Sequence, residues 1–251
     1  MKENIHCNLC RVQSREFSVF NLPVHLLDDY TSWLGLRLER KLGTHVVTLN
    51  SEMAMLSEKN LELAHIIKTA ELVIPDGSGV ILYLWLRGQR QKRCPGIDLA
   101  TSILEQIAGK ENSYPICFYG GKPEVNAGAV RFWQEKRPSL SIIHNHGYLS
   151  PEEEREWCNI IKAKQPRLIL VGLGVPKQEF WITEHRYLAP GATWIGIGGS
   201  FDIWAGVKSR APQWLIQSHL EWLYRLYQEP WRWRRMLALP QFAWRALDIW
   251  Q

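Results

Sequence analysis

At 251 residues the chain is long enough for one large domain, or one domain with an appendage. Hydrophobic residues make up 46% of it, enough for a full core, which excludes intrinsic disorder. The formal net charge of +5 is unevenly placed: residues 205 to 251 hold seven Lys and Arg against three acids, so the preceding part is almost neutral. That basic stretch also holds Trp214, Trp222, Trp231, Trp233, Trp244 and Trp250 among the thirteen tryptophans.

Residues 1 to 17 lack an apolar signal core, and Cys7, Cys10, Cys94, Cys117 and Cys158 form an odd, scattered set suited to reduced thiols. Cys7 and Cys10 sit beside His6 but have no second pair at zinc spacing, so the pair carries no metal assignment. Further on, short β-branched runs alternate with helical patterns. Strands are expected at 44–50, 71–77, 114–121, 140–147, 167–174 and 192–199, and helices at 51–68, 78–87, 98–108, 123–136, from Pro151, and from about Lys177. The most apolar run, 79 to 86, is far short of the ~20 residues a spanning helix needs. The expectation is therefore a cytoplasmic protein with at most peripheral membrane contact. Such βα alternation predicts an α/β fold, a mostly parallel sheet with helices on both faces. From Ala211 the pattern becomes helical, with Ile216, Leu220, Leu223 and Tyr227 on one stripe, Pro212 in the first turn and Pro230 closing the helix. Residues 231 to 250 are expected to form one or two short helices broken at Pro240. The organisation predicted is an extension over 1–16, an αβ core over 17–204 and a helical appendage over 205–251.

Ligands of parallel sheets bind at the carboxyl ends of the strands. Those ends carry Thr48 and Asn50, Asp76 and Gly77, Gly120 and Gly121, His144 to Gly147, Gly172 and Gly174, and Gly198 and Gly199. Glycines there let backbone N–H groups approach a phosphate, so a nucleotide or phosphorylated ligand is indicated. Gly172-x-Gly174 imitates the start of a dinucleotide fingerprint, but Lys177 stands where the third glycine belongs and no acidic residue closes a following strand. Lys177 and Gln178 instead place a cation and an amide at a helix start. Asp76 lies in Pro-Asp-Gly, a common turn sequence, yet its place at a strand end suits a carboxylate that removes a proton from an attacking hydroxyl. His144 and His146 lack further partners for a metal. No D-x-D occurs in the chain, so the charge of a diphosphate leaving group falls to arginines, whose planar forks bind phosphate oxygens in pairs.

In this order the stretches TLNSEM (48–53), IPDGSGV (74–80), RCPGIDL (93–99), GLGVPKQEFW (172–181), GIGGSFDIWAGVKSRAP (196–212) and EWLYRLYQEPWRWRR (221–235) resemble the WecG/TagA/CpsF family of bacterial glycosyltransferases. The resemblance implies a Rossmann-like fold and inverting transfer, without a metal cofactor, of N-acetylmannosamine or a related hexose. The donor it implies is a UDP-sugar and the acceptor a sugar on a polyprenyl diphosphate, in cell-surface polymer synthesis. It implies Asp76 as general base and Thr48 and Gln178 near the reaction centre. Arg225, Arg232 and Arg235 match arginines that hold a diphosphate in an appendage that docks on the membrane. Self-association is also in keeping with the family. Each basic residue near an anionic surface contributes about 1 kcal/mol, so a net +4 supplies at most ~4 kcal/mol, and tryptophan insertion must add to it. Two rival readings are a nucleic-acid-binding protein using the basic aromatic tail and an NAD-dependent oxidoreductase; the neutral core opposes the first and the broken fingerprint the second. A non-catalytic nucleotide-sugar sensor is opposed by the intact Thr48, Asp76 and Gln178.

Overall fold

A computed structural model describes residues 15–109 and 114–248; Cys7, Cys10 and Trp250 lie outside them. The described residues open with a hairpin that the alternation pattern did not reveal, β1 (Arg15–Val19) antiparallel to β2 (Leu22–Leu26). Its two-residue turn, Phe20 and Asn21, has positive φ at both positions (51° and 64°), the backbone twist that tight hairpins favour. Then follow α1 (Tyr30–Glu39), β3 (Thr44–Leu49), α2 (Ser51–Lys59), α3 (Leu61–Thr69), β4 (Leu72–Pro75), α4 (Ser78–Leu86) and α5 (Gly96–Ala108). The expected helix over 51–68 is two helices, because the Asn60 side chain accepts a hydrogen bond from the Leu63 N–H (2.9 Å) and caps a new start there. The second half runs β5 (Ile116–Gly120), α6 (Pro123–Lys136), β6 (Ile142–Asn145), α7 (Pro151–Lys164), β7 (Leu168–Gly172), α8 (Lys177–His185), β8 (Thr193–Gly196) and α9 (Ser200–Trp204).

Six parallel strands form one sheet in the order β4-β3-β8-β7-β5-β6, a Rossmann-like α/β arrangement. Period-2 alternation divides the strand residues between the two faces. Val46, Ile74, Phe118, Leu170 and Ile195 pack under α1, α5, α6 and α9 around Trp133. On the other face Val47, Leu49 and Val73 meet α2, α3, α4 and the hairpin. Ile169, Val171 and Trp194 meet α7 and α8 on that same side. The chain leaving β3 enters α2 on one face, whereas the chain leaving its neighbour β8 enters α9 on the other. The ends of these two strands are thus a switch point, where the diverging loops leave a crevice.

Four further helices follow: α10 (Gln213–Gln217), α11 (Glu221–Gln228), α12 (Trp233–Met236) and α13 (Ala238–Asp248). Two sequence expectations need correction. The single helix from Ala211 is interrupted at Ser218–Leu220, where His219 adopts φ +60°. Pro240 does not break a helix; it lies in the first turn of α13, where no N–H is required, and the break falls at Leu237. The tail is not a free arm. Phe242 and Ala246 of α13 are buried against α2 and α4, and Phe242 joins Phe20 and Tyr83 in an aromatic group with ring centroids 4.7–6.2 Å apart.

Candidate active site

The crevice lies above the carboxyl ends of β3, β4 and β8 and is roofed by α11 and α12. It comprises two adjoining chambers of about 140 and 110 Å³. Both are bounded by Asn50, Glu52, Asp76, Glu221, Arg225 and Arg235, so Asp76 stands on the wall they share. The first also reaches Thr48, Gln178, Gly174, Gly198, Gly199 and, from the tail, Lys208 and Arg210. The second reaches Gly77, Arg93, Trp222 and Leu239.

Local structure explains how these groups arrive. The Asn50 side chain caps α2, accepting from the Met53 N–H (2.9 Å), and is fixed by that bond. Gly77 packs so closely on Asn50 that a Cβ would lie 2.8 Å from its Cα. At Gly96 a Cβ would meet the Thr48 methyl at 2.7 Å, which lets the start of α5 approach β3. The Thr48 hydroxyl donates to the Gly196 carbonyl (3.1 Å) and is buried. Gln178 is held at both ends of its amide: its oxygen accepts from the Gly198 N–H (3.0 Å) and its nitrogen donates to the Glu179 carboxylate (3.0 Å). Glu179 in turn meets the His45 ring at 2.7 Å, with both side chains buried. These bonds use one of the two Gln178 amide hydrogens.

Asp76 is about four-fifths buried, its side chain 18% exposed. Desolvation pushes its carboxyl above the ordinary carboxylate range, against the pull of Arg93 and Arg225 and of the Gly96 N–H. Arg93 places its guanidinium 3.8 Å from the Asp76 carboxylate and donates to the Asp76 carbonyl. It also pairs with Glu221 of α11 at 2.6 Å, and Glu221 binds Arg225 at 2.6 Å. Burial alone would raise the Glu221 carboxyl, but Arg225 and Arg93 together hold it below its usual value. Arg93 Nη1 and Ser51 Oγ are buried without a hydrogen-bond partner. Burial and the neighbouring Asp76 and Asp98 drive the Cys94 thiol pKa up, which disfavours its thiolate.

Tail and core meet through ion pairs. Arg210 binds Asp98 (2.5 Å), Lys208 binds Asp202 (3.2 Å), Arg245 binds Glu58 (3.1 Å) and Arg235 binds Glu52. Much of the tail's positive charge therefore faces core carboxylates. Trp214, Trp231, Trp233 and Trp244, by contrast, are exposed.

The structure thus gathers Asp76, Thr48, Gln178, Arg225, Arg235, Asn50, Gly77, Gly174, Gly198 and Gly199 around one crevice. Arg232 lies in the turn Pro230–Arg232, and its side chain is outside the described set. Two expected residues do not line it. Lys177 is exposed beside α7, and Gly172 packs on Phe201, where a Cβ would lie 2.6 Å from the ring. His144 pairs with Asn126 (2.8 Å) on the edge strand β6, away from the crevice. The sequence reading missed Arg93, Glu221, Lys208 and Arg210, although each lies inside a stretch that it had singled out. Among the described residues, no group of three or more His, Cys, Asp or Glu is placed to hold a metal ion. Cys94, Cys117 and Cys158 are free.

A family model described as the glycosyl transferase WecG/TagA/CpsF family matches residues 17–251. The chain belongs to this family. Membership makes it a glycosyltransferase and leaves the oxidoreductase and nucleic-acid readings without support. Among its relatives, an N-acetylglucosaminyldiphosphoundecaprenol N-acetyl-beta-D-mannosaminyltransferase of Bacillus spizizenii (strain W23) is 36% identical over 88% of each chain. One of the same description from Bacillus subtilis (strain 168) is 35% identical over 90% of this chain and 89% of its own. Another from Staphylococcus aureus (strain MW2) is 31% identical over 80% and 78%.

Proposed function

We propose that this glycosyltransferase moves N-acetylmannosamine, or a closely related hexose, with inversion from a UDP donor to the sugar of a polyprenyl-diphosphate-linked acceptor. The observation that carries the reading is the desolvated Asp76 on the wall between two chambers that share arginines. The larger chamber, with Gln178, the Gly198–Gly199 backbone and the Lys208 and Arg210 cations, suits the sugar nucleotide. The smaller, with Arg93 and Trp222, suits the acceptor sugar. Asp76 takes the proton of the acceptor hydroxyl as that oxygen bonds to the anomeric carbon. The bond from the anomeric carbon to the β-phosphate oxygen breaks, and UDP leaves with the electron pair. Arg225 and Arg235, pre-positioned by Glu221 and Glu52, take up the developing charge, so no metal cofactor is needed. Transfer by direct displacement at a single crevice inverts the anomeric centre.

The same reading places the enzyme on the inner face of an anionic membrane. No helix among the described residues is long and apolar enough to cross one. With so many of its cations paired to the core, the tail attracts that surface by less than its net charge suggests, and the exposed tryptophans contribute the larger share.

The decisive experiment measures UDP release from a panel of UDP-sugars with a short-chain polyprenyl-diphosphate N-acetylglucosamine acceptor and EDTA. Acceptor-dependent release from one donor is expected, falling by about 10²–10⁴-fold in Asp76→Asn. Undiminished release in that variant would remove Asp76 from the role of base. Activity that EDTA abolishes would overturn the metal-free mechanism.

A further inference from the structure

Helix α4 is apolar on every side. Val80, Ile81, Tyr83 and Leu84 face the core, while Leu82, Trp85 and Leu86 are about half exposed (55, 49 and 49%). A helix without a polar face is ordinarily covered on all sides. Here the outer face of α4 forms one wall of an open groove of about 590 Å³ whose other wall is α13, through Leu239, Ala243 and Leu247. That volume lies within the ~300–1,000 Å³ of small-ligand sites.

The position of the groove says what fills it. Ser51, Ser78, Trp222, Met236 and Leu239 line both the groove and the smaller chamber, so the groove runs into the space beside Asp76 and Arg93. An occupant must be apolar along α4 and polar or anionic where Arg93, Arg225 and Arg235 converge. A protein segment fits poorly, because its backbone N–H and C=O groups would find few partners between these walls. A polyisoprenoid has no polar atom until its diphosphate.

We propose that this groove binds the diphosphate-proximal isoprene units of the acceptor's lipid chain, so that the enzyme grips the lipid itself and not only the sugar it carries. The inference rests on the acceptor class proposed above, but its test does not require turnover. Binding of farnesyl diphosphate and of inorganic diphosphate would be measured by titration calorimetry, without membranes, for the wild type, Ala243→Trp and Leu82→Asp. Both substituted positions are exposed, so neither change opens the core; thermal melts check the fold.

Wild type should bind the prenyl diphosphate at least tenfold more tightly than inorganic diphosphate. Both variants should bring that ratio to within about twofold of unity while leaving inorganic diphosphate binding unchanged. A wild-type ratio near one, or a tenfold ratio surviving both variants, would overturn the groove assignment. Variants that lose binding to anionic vesicles yet keep the ratio would give the groove to a membrane lipid, which also overturns it. UDP release by the wild type with N-acetylglucosamine linked to methyl diphosphate decides the transferase reading separately, since that acceptor has no chain to place in the groove.

Discussion

The α/β core and the C-terminal helices are stabilised by different means. The core is closed by apolar packing on both faces of one sheet, with Trp133, Phe118 and Trp194 fully buried. Among the tail's described residues only Ala211, Leu215, Phe242 and Ala246 are buried hydrophobic ones, and ion pairs such as Arg210–Asp98 and Arg235–Glu52 add to its hold on the core. Exposed pairs of that kind contribute about 0–1 kcal/mol each and weaken with salt, whereas core packing does not. Asp76 sits on the firm side, and the cations around it come mainly from the looser side. A cover of this kind can open while the sheet stays intact.

The sharpest way to break this comparison is to end the chain after Val207. Turnover should fall by more than about 10²-fold, the loss expected when charge-stabilising groups leave a site. Circular dichroism should still report a folded core. Size-exclusion chromatography should show self-association, because Phe20, Tyr83 and the inner side of α13's seat become exposed; a monomeric truncation would mean that α13 covers less apolar surface than its contacts indicate. Next comes a pair of substitutions. Trp133→Ala should destabilise the whole core by roughly 3–5 kcal/mol. Phe242→Ala should leave the main melting transition nearly in place while making residues 205–248 sensitive to protease. Equal losses of Tm in the two variants would show a single cooperative unit.

Acidity gives a subtler test. Desolvation raises the Asp76 pKa, and a base must be ionised, so the acid limb of kcat/KM should lie above the ordinary carboxylate range. Arg93→Met removes a charge that pulls this pKa down and should move the limb to higher pH. Glu221→Gln removes a charge that pushes it up and should move the limb lower. Movement in the same direction for both would detach these residues from Asp76. A raised folded-state pKa also means that the stability this carboxyl contributes is present below its unfolded pKa and lost as pH rises through the folded one. Asp76→Asn should accordingly melt no lower than wild type at neutral pH. The smallest effect is expected for Glu52→Gln, about 1 kcal/mol or less in tail docking, read as faster proteolysis at low salt that vanishes at high salt.

Much of the core was legible from sequence, because buried parallel strands are short β-branched runs and their carboxyl ends must carry the ligand groups. Thr48, Asp76 and Gly198, which the fold brings to one crevice, stood out that way. Lys177 was misplaced for a geometric reason: neighbours on a helix point about 100° apart, so when Gln178 faces the crevice Lys177 faces away. Arg93 left no periodic signal, since it stands on the loop between α4 and α5 that returns to Asp76. Glu221 and Arg210 are meaningful only once the tail is folded onto the core. The break at His219 also escaped notice, because the apolar stripe continues through it and nothing but the backbone angle marks the turn. The β1–β2 hairpin was hidden by a turn made of Phe and Asn, without the glycine that usually announces one.

The contact of Phe242 with Tyr83 and Phe20 joins α13 to residues made much earlier. At ~5–20 residues per second, roughly 8–30 s separate the synthesis of Tyr83 from that of Phe242. Throughout that interval the Phe20–Tyr83 pair lacks the cover that Phe242 and Ala246 give it in the folded molecule. The nascent chain therefore shows a holdase an apolar face that α13 later covers, beside the groove that stays open in the folded molecule.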